Sequence, residues 1–321
     1  MGIVTLPTRT PLCLLPTPCH RLDRASQALG IDLWIKRDDL TGFAFGGNKG
    51  RKLEYFASQI VAAAPDAVLT CGSIQSNFIR QLAALCAMLR VPFHAVVMDL
   101  PYEYEPVAVP GLHPHGANAL LTRAFGGTLD VIPNGTWDTL FAAMDDRARQ
   151  YRRPFVIPVG GSGVSGAYAF SLAAAEVAPL AFDRVIFASS SGSTQVGLAY
   201  GLADVPTQVI GIACDPEPEL VYDFVRLGES LAELLHVPVL AASDFDLRFD
   251  FVGPGYGVPS EAGDAAWKFL ARTEGIALDP IYSAKAFAAI MAHAPAGELP
   301  GRTLFWHTGG TPAVFAHPDW S

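Results

Sequence analysis

The chain has few cysteines and no pattern of them that would define a metal or disulfide protein. Five cysteines occur in 321 residues, at positions 13, 19, 71, 86 and 214. An odd, scattered set without a C-x-x-C pair predicts neither a disulfide framework nor a zinc site, and it suits a reducing cytoplasm. Cys19-His20 and His113-Pro114-His115 lack further ligands at zinc spacing, so we expect no metal.

Long apolar runs and clustered basic residues are also missing. No run reaches the roughly 18 residues of a membrane span, and residues 1–10 lack the basic and apolar segments of a signal peptide. A net charge of −9 argues against nucleic-acid binding. With 50% hydrophobic residues the chain can bury a large core in one or two domains. We therefore predict a cytoplasmic protein that acts on small molecules.

Apolar, strand-like runs alternate with alanine- and leucine-rich helical segments along most of the chain. Strands that read as continuous apolar runs between helices indicate parallel sheets covered on both faces, so we predict an α/β fold. Four of these runs end in polar or glycine-rich loops, after residues 71, 159, 188 and 307. Ligands of open α/β sheets bind at such strand ends.

A lysine follows two glycines, Gly46 and Gly47, and precedes a segment with helical spacing. Lys49 is not a P-loop lysine, because Gly50 follows it and no glycine has the required spacing before it. A lysine whose pKa is lowered by desolvation, or by neighbours such as Arg51 and Lys52, can form a Schiff base with a carbonyl cofactor. An ordinary glycine loop is the alternative that this stretch alone leaves open.

Two other loops suggest phosphate binding. Residues 161–166 match G-x-G-x-x-G between a strand and a helix, but no good candidate follows for the acid that binds the ribose of a dinucleotide. We prefer a glycine-rich loop between domains and keep a dinucleotide oxidoreductase as an alternative. Residues 189–195 place small residues at a strand end before a helix, which predicts a phosphate site. No lysine occurs in this loop, which suits a monophosphate held by dipoles and hydroxyls.

Several stretches together supply the parts that a pyridoxal 5′-phosphate (PLP) enzyme needs. The chain offers an amine at Lys49, a phosphate loop, polar residues at a strand end in Ser76 and Asn77, and Thr308 before Gly309-Gly310. PLP requires a Schiff-base amine, a phosphate site, and partners for its ring oxygen and ring nitrogen. We therefore predict PLP as the cofactor.

The motifs at residues 36–39, 45–54, 72–81, 191–195, 255–259, 279–282 and 307–310 occur in the same order in one family. In these motifs the chain resembles the D-cysteine desulfhydrase and 1-aminocyclopropane-1-carboxylate (ACC) deaminase family. These are fold-type II, tryptophan synthase β-like PLP enzymes. The resemblance extends over nearly the whole chain.

The resemblance implies a role for each matching residue. It implies that Lys49 forms the Schiff base, that Asn77 and Thr308 contact the cofactor ring, and that Ser191, Gly192, Ser193 and Thr194 hold its phosphate. It also implies that Ser76, with Gln75, receives the substrate carboxylate and that Tyr256 and Tyr282 line the substrate face. Asn77 and Ser283 complete the predicted substrate contacts.

Two positions distinguish branches of this family. Deaminases that open the cyclopropane ring look as though they carry Glu after the second tyrosine and Leu before the glycine pair, where this chain has Ser283 and Thr308. A hydroxyl cannot hold the pyridine nitrogen protonated as a carboxylate can. This favours elimination of a good leaving group, and we predict conversion of D-cysteine to pyruvate, hydrogen sulfide and ammonia. ACC deaminase, cysteate sulfo-lyase and a non-catalytic PLP-binding protein stay open, because residues 99–118 depart from the family's usual stretch.

We hypothesise two open α/β domains with the cofactor between them. The larger domain would comprise residues 1–49 and 158–321, and a smaller domain of residues 50–157 would be inserted into it. The family resemblance also implies a homodimer that binds a small amino-acid substrate.

Overall fold

Two β-sheets form the framework of the protein, and the computed structural model describes residues 6–318. The strands are Cys19–Arg21 (β1), Asp32–Arg37 (β2), Ala67–Ser73 (β3), Phe93–Met98 (β4), Thr128–Val131 (β5), Pro154–Val156 (β6), Arg184–Ser189 (β7), Gln208–Ala213 (β8), Asp246–Arg248 (β9) and Arg302–His307 (β10). The larger sheet has the order β1-β2-β10-β7-β8-β9, and the smaller sheet has the order β5-β4-β3-β6. All neighbouring strands are parallel except β1 and β2.

Ten α-helices of the described residues pack against the sheets. They are Asp23–Leu29 (α1), Lys49–Ala63 (α2), Asn77–Leu89 (α3), Ala117–Ala124 (α4), Trp137–Ala148 (α5), Val164–Ala173 (α6), Ser193–Gly201 (α7), Leu220–Leu235 (α8), Glu261–Glu274 (α9) and Ser283–His293 (α10). Short 3-10 helices include Asp38–Leu40, Phe43–Phe45, Val159–Gly161 and Thr311–Ala316. The mostly parallel sheets with covering helices confirm the predicted α/β class.

Both faces of the larger sheet are buried. Phe305 of β10 packs with α1, α9 and α10, whereas its neighbours Leu304 and Trp306 point to the other face and pack with α6 and α7. Successive side chains of a strand point to opposite faces, so burial of both faces requires a continuous apolar run. This explains why the central strands were recognisable in the sequence.

The start of α3 is fixed by a serine cap directly after β3. Ser76 Oγ accepts a hydrogen bond from the Ile79 N–H at 3.3 Å, which satisfies one of the free N–H groups of the first helical turn. The helix therefore begins at Asn77, four residues after β3 ends at Ser73. Its N-terminus lies at the carboxyl end of the smaller sheet.

The smaller sheet has its own hydrophobic core. Its strands come from residues 67–156, and Leu53, Phe56 and Ile60 of α2 pack there with Phe78 and Val97. The domain limits inferred from the sequence, at residues 49/50 and 157/158, stay a prediction.

The structure differs from the sequence prediction mainly at short or mixed elements. Strands β1 and β9 were not predicted, because a strand of three residues at a sheet edge is too short to show a clear hydrophobic periodicity. Helix α7 begins at Ser193 and not at Val196, so part of the predicted phosphate site at residues 189–195, which we call the serine loop, forms the first helical turn. Residues 1–5, part of the segment in which no signal peptide is expected, lie outside the described residues. Within residues 6–318, no helix is both long and apolar enough to cross a membrane.

Candidate active site

A cavity of about 720 Å³ lies where strands of the two sheets end. Most of the predicted site residues line it, namely Lys49, Ser76, Asn77, Ser191, Gly192, Thr194, Tyr256, Tyr282 and Thr308. Gln75, Ser193 and Ser283 do not. The parallel strands of each sheet carry their carboxyl ends on one edge, which is why residues distant in sequence meet here.

Lys49 is the first residue of α2 and faces the cavity. The glycines before it allow the loop to approach its neighbours closely: a Cβ on Gly46 would lie 1.9 Å from the Asp39 carbonyl oxygen. Gly47 has a φ of 113°, a backbone conformation that residues with a side chain rarely adopt. Burial lowers the pKa of Lys49, which increases the fraction of neutral, nucleophilic amine.

The two cations next to Lys49 in sequence do not act as the sequence suggested. Arg51 turns away and forms ion pairs with Asp38 at 2.8 Å and Glu176 at 2.6 Å. Lys52 does face the cavity, but its hydrogen bond with Lys49 opposes the lowering of the Lys49 pKa. Desolvation alone therefore lowers the pKa of Lys49.

Lys52 is a cavity residue that the sequence prediction missed. Its Nζ donates to the Gly160 carbonyl at 3.2 Å. Gly160 also packs against the serine loop, because a Cβ on Gly160 would lie 2.5 Å from Ser191 Oγ. Lys52 and the serine loop therefore both contact Gly160. Burial, followed by the Lys49 charge, lowers the pKa of Lys52 well below its usual value. An anion bound at the serine loop would stabilise its charged form.

The serine loop joins the end of β7 to the start of α7. Thr194 Oγ1 accepts a hydrogen bond from Asn48 Nδ2 at 3.2 Å. Ser189 Oγ is buried without a hydrogen-bond partner among the described residues. Ser193 instead points towards the Gly161 carbonyl. The N-terminus of α7, an unpaired hydroxyl and Lys52 together fit a dianionic phosphate.

The glycine-rich loop at residues 160–166 is a wall of the same cavity. Gly160 and Ser162 line it, and Ser162 Oγ donates to the Ser191 carbonyl. A Cβ on Gly166 would lie 2.3 Å from the Gly161 carbonyl oxygen, so this glycine permits tight packing of the loop on itself. The loop supports the serine loop rather than forming a separate site.

Asn77 is oriented by a buried polar network at the start of α3. Its Oδ1 accepts hydrogen bonds from Arg80 at 3.0 Å and from Asn118 Nδ2 at 2.9 Å. Burial lowers the pKa of Arg80 to about 9. Gln75 points away from the cavity and donates to the His113 and Gly116 carbonyls. Its role is to fix the divergent segment at residues 99–118 in place.

Tyr256 and Tyr282 form a hydrogen-bonded pair on the cavity wall. Their hydroxyl oxygens are 2.8 Å apart. Burial raises the pKa of both phenols, so both are protonated at neutral pH. They can donate a proton but are poor bases, which makes Lys49 the better candidate for the base.

Ser283 belongs to a turn behind the cavity wall. Its hydroxyl donates to Asp279 Oδ1 at 2.6 Å, and the carboxylate of Asp279 also accepts the N–H groups of Ile281, Tyr282 and Ser283. Asp279 itself lines the cavity, as does Thr308, whose carbonyl accepts the Asn48 N–H at 2.8 Å. The structure therefore brings Thr308, and not Ser283, to the cavity.

Two acidic residues after β8 also line the cavity and were not predicted. Burial raises the pKa of Asp215 to about 6 and that of Glu217 to about 8. The only signal in the sequence was their position after a strand end, in Cys214-Asp215-Pro216-Glu217. Within the described residues, no group of three or more His, Cys, Asp or Glu is arranged to bind a metal ion.

A buried lysine, an anion-binding loop at a helix N-terminus and polar residues between two parallel sheets define a class of protein. The orphaned Ser189 hydroxyl and the amines of Lys49 and Lys52 fit the phosphate and aldehyde of PLP. The site is that of a fold-type II PLP-dependent enzyme.

Comparison with known proteins identifies the family. Residues 11–309 match the model of the pyridoxal-phosphate dependent enzymes. A D-cysteine desulfhydrase of Salmonella paratyphi B is 36% identical over 330 residues, covering 97% of this chain and 96% of the relative. The crystal structure of an ACC deaminase homologue superposes with a TM-score of 0.87 at 31% identity, covering 99% of this chain and 96% of the other. The chain belongs to the D-cysteine desulfhydrase and ACC deaminase family of PLP-dependent enzymes.

A more distant structure shares the fold. An L-serine ammonia-lyase of the fungus Rhizomucor miehei has a TM-score of 0.65 at 15% identity, and the match covers 94% of each chain. The predicted family, fold-type II class and PLP cofactor are confirmed, and the dinucleotide alternative is wrong.

Proposed function

We propose that the protein catalyses α,β-elimination of a small β-substituted amino acid, with D-cysteine converted to pyruvate, hydrogen sulfide and ammonia. The observation that supports this proposal is the placement of an amine of lowered pKa, Lys49, in one cavity with the protonated pair Tyr256 and Tyr282. The name of the 36% identical relative agrees with it. The reaction consumes one water and involves no net oxidation or reduction, so it needs neither oxidant nor reductant.

Lys49 would attach the cofactor, and the side chains around it would hold the rest. Ser191, Gly192 and Thr194 with Lys52 would bind the phosphate, and Asn77 and Thr308 would contact the ring. Bound PLP supplies the electron sink that makes the Cα proton of an amino acid acidic.

The substrate would be oriented by the start of α3. The N-terminus of this helix carries a partial positive charge that favours a carboxylate, and Ser76 lies there on the cavity wall. Lys49 would then take the Cα proton, and the tyrosine pair would protonate the departing sulfur. Proton transfer by a positioned side chain contributes roughly 10²–10⁴-fold in rate.

Product analysis tests the reaction directly. We expect pyruvate and sulfide from D-cysteine, and pyruvate from β-chloro-D-alanine, when these are assayed beside L-cysteine, cysteate and ACC. Formation of 2-oxobutyrate from ACC at a higher rate would instead indicate a deaminase. Absence of a keto acid from every compound would contradict the proposal and favour a non-catalytic PLP-binding protein.

Tyr282→Phe tests the proton donor. We expect kcat for D-cysteine to fall by roughly 10²–10⁴-fold, since thiolate leaves more readily once protonated. Chloride needs no proton, so β-chloro-D-alanine should lose much less. Tyr104→Phe is the matched control, because Tyr104 lines the cavity rim and hydrogen-bonds Glu219. An equal loss with both substrates would argue for a packing role of Tyr282.

The predicted homodimer and cytoplasmic location stay predictions. Sedimentation analysis of the purified holoenzyme would test the first of them.

A further inference from the structure

The cavity wall is rich in carboxylates that the proposed elimination does not use. Seven acidic residues line it within the described part of the chain, namely Glu103, Asp138, Asp215, Glu217, Glu219, Asp223 and Asp279. The lining residues with a cationic side chain are Lys49 and Lys52. Backbone N–H groups satisfy Asp279. Arg226 pairs with Asp223, and the remaining carboxyl groups make this part of the cavity acidic.

Apart from Asp279, Asp215 is the most deeply buried of these carboxylates, and one of its oxygens is unsatisfied. The residue is 3% exposed, and its Oδ1 is buried without a hydrogen-bond partner among the residues described. The Ser190 hydroxyl hydrogen-bonds the carboxyl group of Asp215, and Lys285, whose charge also stabilises the carboxylate, donates through Nζ to the Gly255 carbonyl at 2.9 Å. A buried, unpaired carboxylate oxygen is costly unless a ligand supplies a donor. Its position on the cavity wall makes that donor available from a bound molecule.

Glu217 and two aromatic rings extend the acidic wall outward. Glu217 Oε1 accepts the Trp137 Nε1–H at 3.1 Å, and the ring of Trp137 packs on Tyr256 with centroids 5.5 Å apart. Burial and the charges of Asp215 and Glu103 raise the pKa of Glu217. Glu217 is therefore mostly protonated at neutral pH by itself, and a nearby cation would favour its ionised form. Carboxylates beside aromatic faces form a favourable site for an ammonium group.

We propose that the wall formed by Asp215, Glu217 and Trp137 selects amino acids whose side chain carries a positive charge, such as a β- or γ-amino group. This inference rests on the proposed elimination and ranks substrates within it: amino acids with a cationic side chain bind more tightly than neutral ones such as D-cysteine. The α-carboxylate lies at the positive end of α3, and the side-chain cation lies against the acidic wall. An anionic β-substituent such as the sulfonate of cysteate is repelled there.

The elimination balances for such a substrate. In 2,3-diaminopropionate the Cβ–N bond breaks after loss of the Cα proton, and the departing nitrogen leaves as ammonia. Hydrolysis consumes one water, so the products are one pyruvate and two ammonia. No redox partner is required.

Binding to the holoenzyme tests the charge selection without depending on turnover. The probes are 2,4-diaminobutyrate, homoserine and homocysteate, which share a carbon skeleton and end in ammonium, hydroxyl and sulfonate. Both enantiomers are titrated, and the visible absorption of the bound cofactor reports binding. We expect 2,4-diaminobutyrate to bind at least about tenfold more tightly than homoserine, and homocysteate to bind least tightly.

Two variants assign the selection to the wall. Asp215→Asn and Glu217→Gln should each weaken 2,4-diaminobutyrate by about tenfold and leave homoserine nearly unchanged. Glu217 is only half-buried, so its variant tests the idea even if Asp215→Asn does not fold. Glu229→Gln, at an exposed position of α8 outside the cavity lining, is the control and should change neither affinity.

The results separate this inference from the proposed function. Equal affinity for the three probes, tighter binding of homocysteate, or unaltered selection in both variants would overturn the inference. If D-cysteine gives no pyruvate while the affinities follow charge, the proposed elimination fails and the selection stands.

Discussion

Lys49→Ala is expected to lose the covalently attached cofactor and at least about a thousandfold of the elimination activity. The physical reason is that the side chain has two roles, attachment of the cofactor and proton removal at Cα. Its pKa is lowered by burial, so both roles use an amine that is readily deprotonated. The checks are the visible absorption of the purified protein, pyruvate formation, and borohydride reduction followed by peptide mapping.

The control for this variant is Lys268→Ala. Lys268 is exposed on α9, away from the main cavity, and its loss should leave both absorption and activity unchanged. Borohydride treatment of the native protein should label the peptide that contains Lys49. A Lys49→Ala protein that kept its colour and activity, or a label on Lys52, would refute the assignment.

Arg51→Met is expected to destabilise the protein by roughly 3–5 kcal/mol, because it leaves buried carboxylates without their cation. Arg51 is 2% exposed and donates to both oxygens of Asp38 at 2.8 Å. It also pairs with Glu176, which Lys36 contacts at 2.5 Å. Trp306 Nε1 donates to Asp38 at 2.9 Å, so the network joins β10, α2, the 3-10 helix that begins at Asp38 and the 3-10 helix Ala174–Glu176 that follows α6. Urea unfolding measures the free energy.

The pH dependence of this loss follows from Glu176. Burial favours the neutral carboxyl, but Arg51 and Lys36 outweigh it and lower the pKa of Glu176 below its ordinary value of 4.5. The resulting stabilisation is present above the pKa of the unfolded chain and is lost as the pH falls through the lower folded value. The difference between wild type and Arg51→Met should therefore shrink below about pH 4.5.

A surface arginine provides the comparison for Arg51. Arg24→Met removes an exposed guanidinium on α1, and such changes cost within about 0.5 kcal/mol. If Arg51→Met were no less stable than Arg24→Met, the buried network would not be a major contributor. Because Lys49 lies two residues before Arg51, we also expect lower cofactor occupancy in the variant.

Which residues reach the cavity was only partly predictable. Thr308 and Ser283 are the two positions that distinguish branches of the family. Ser283 hydrogen-bonds Asp279 behind the cavity wall, whereas Thr308 faces the cavity. Ser193 likewise sits in the predicted phosphate loop but turns towards Gly161. Neighbouring positions differ because the first turn of a helix points successive side chains in different directions.

The roles of residues whose surroundings are formed by distant segments could not be predicted from the sequence. Arg51 and Lys52 are adjacent cations in the chain, but one enters a buried ion-pair network and the other enters the cavity. Asp215 and Glu217 sit in an ordinary-looking proline-containing turn. Their significance comes from burial and from the side chains across the cavity, which belong to distant segments.

The sequence by itself determined the α/β class, the family and the PLP cofactor, because these depend on local periodicity, glycine spacing and ordered motifs. Only the tertiary structure decided the charge of the cavity, the partners of Arg51, and which of the predicted side chains line the site. Those properties depend on distances between segments far apart in the chain and on how much water each charge loses on folding, and neither quantity is written in local sequence.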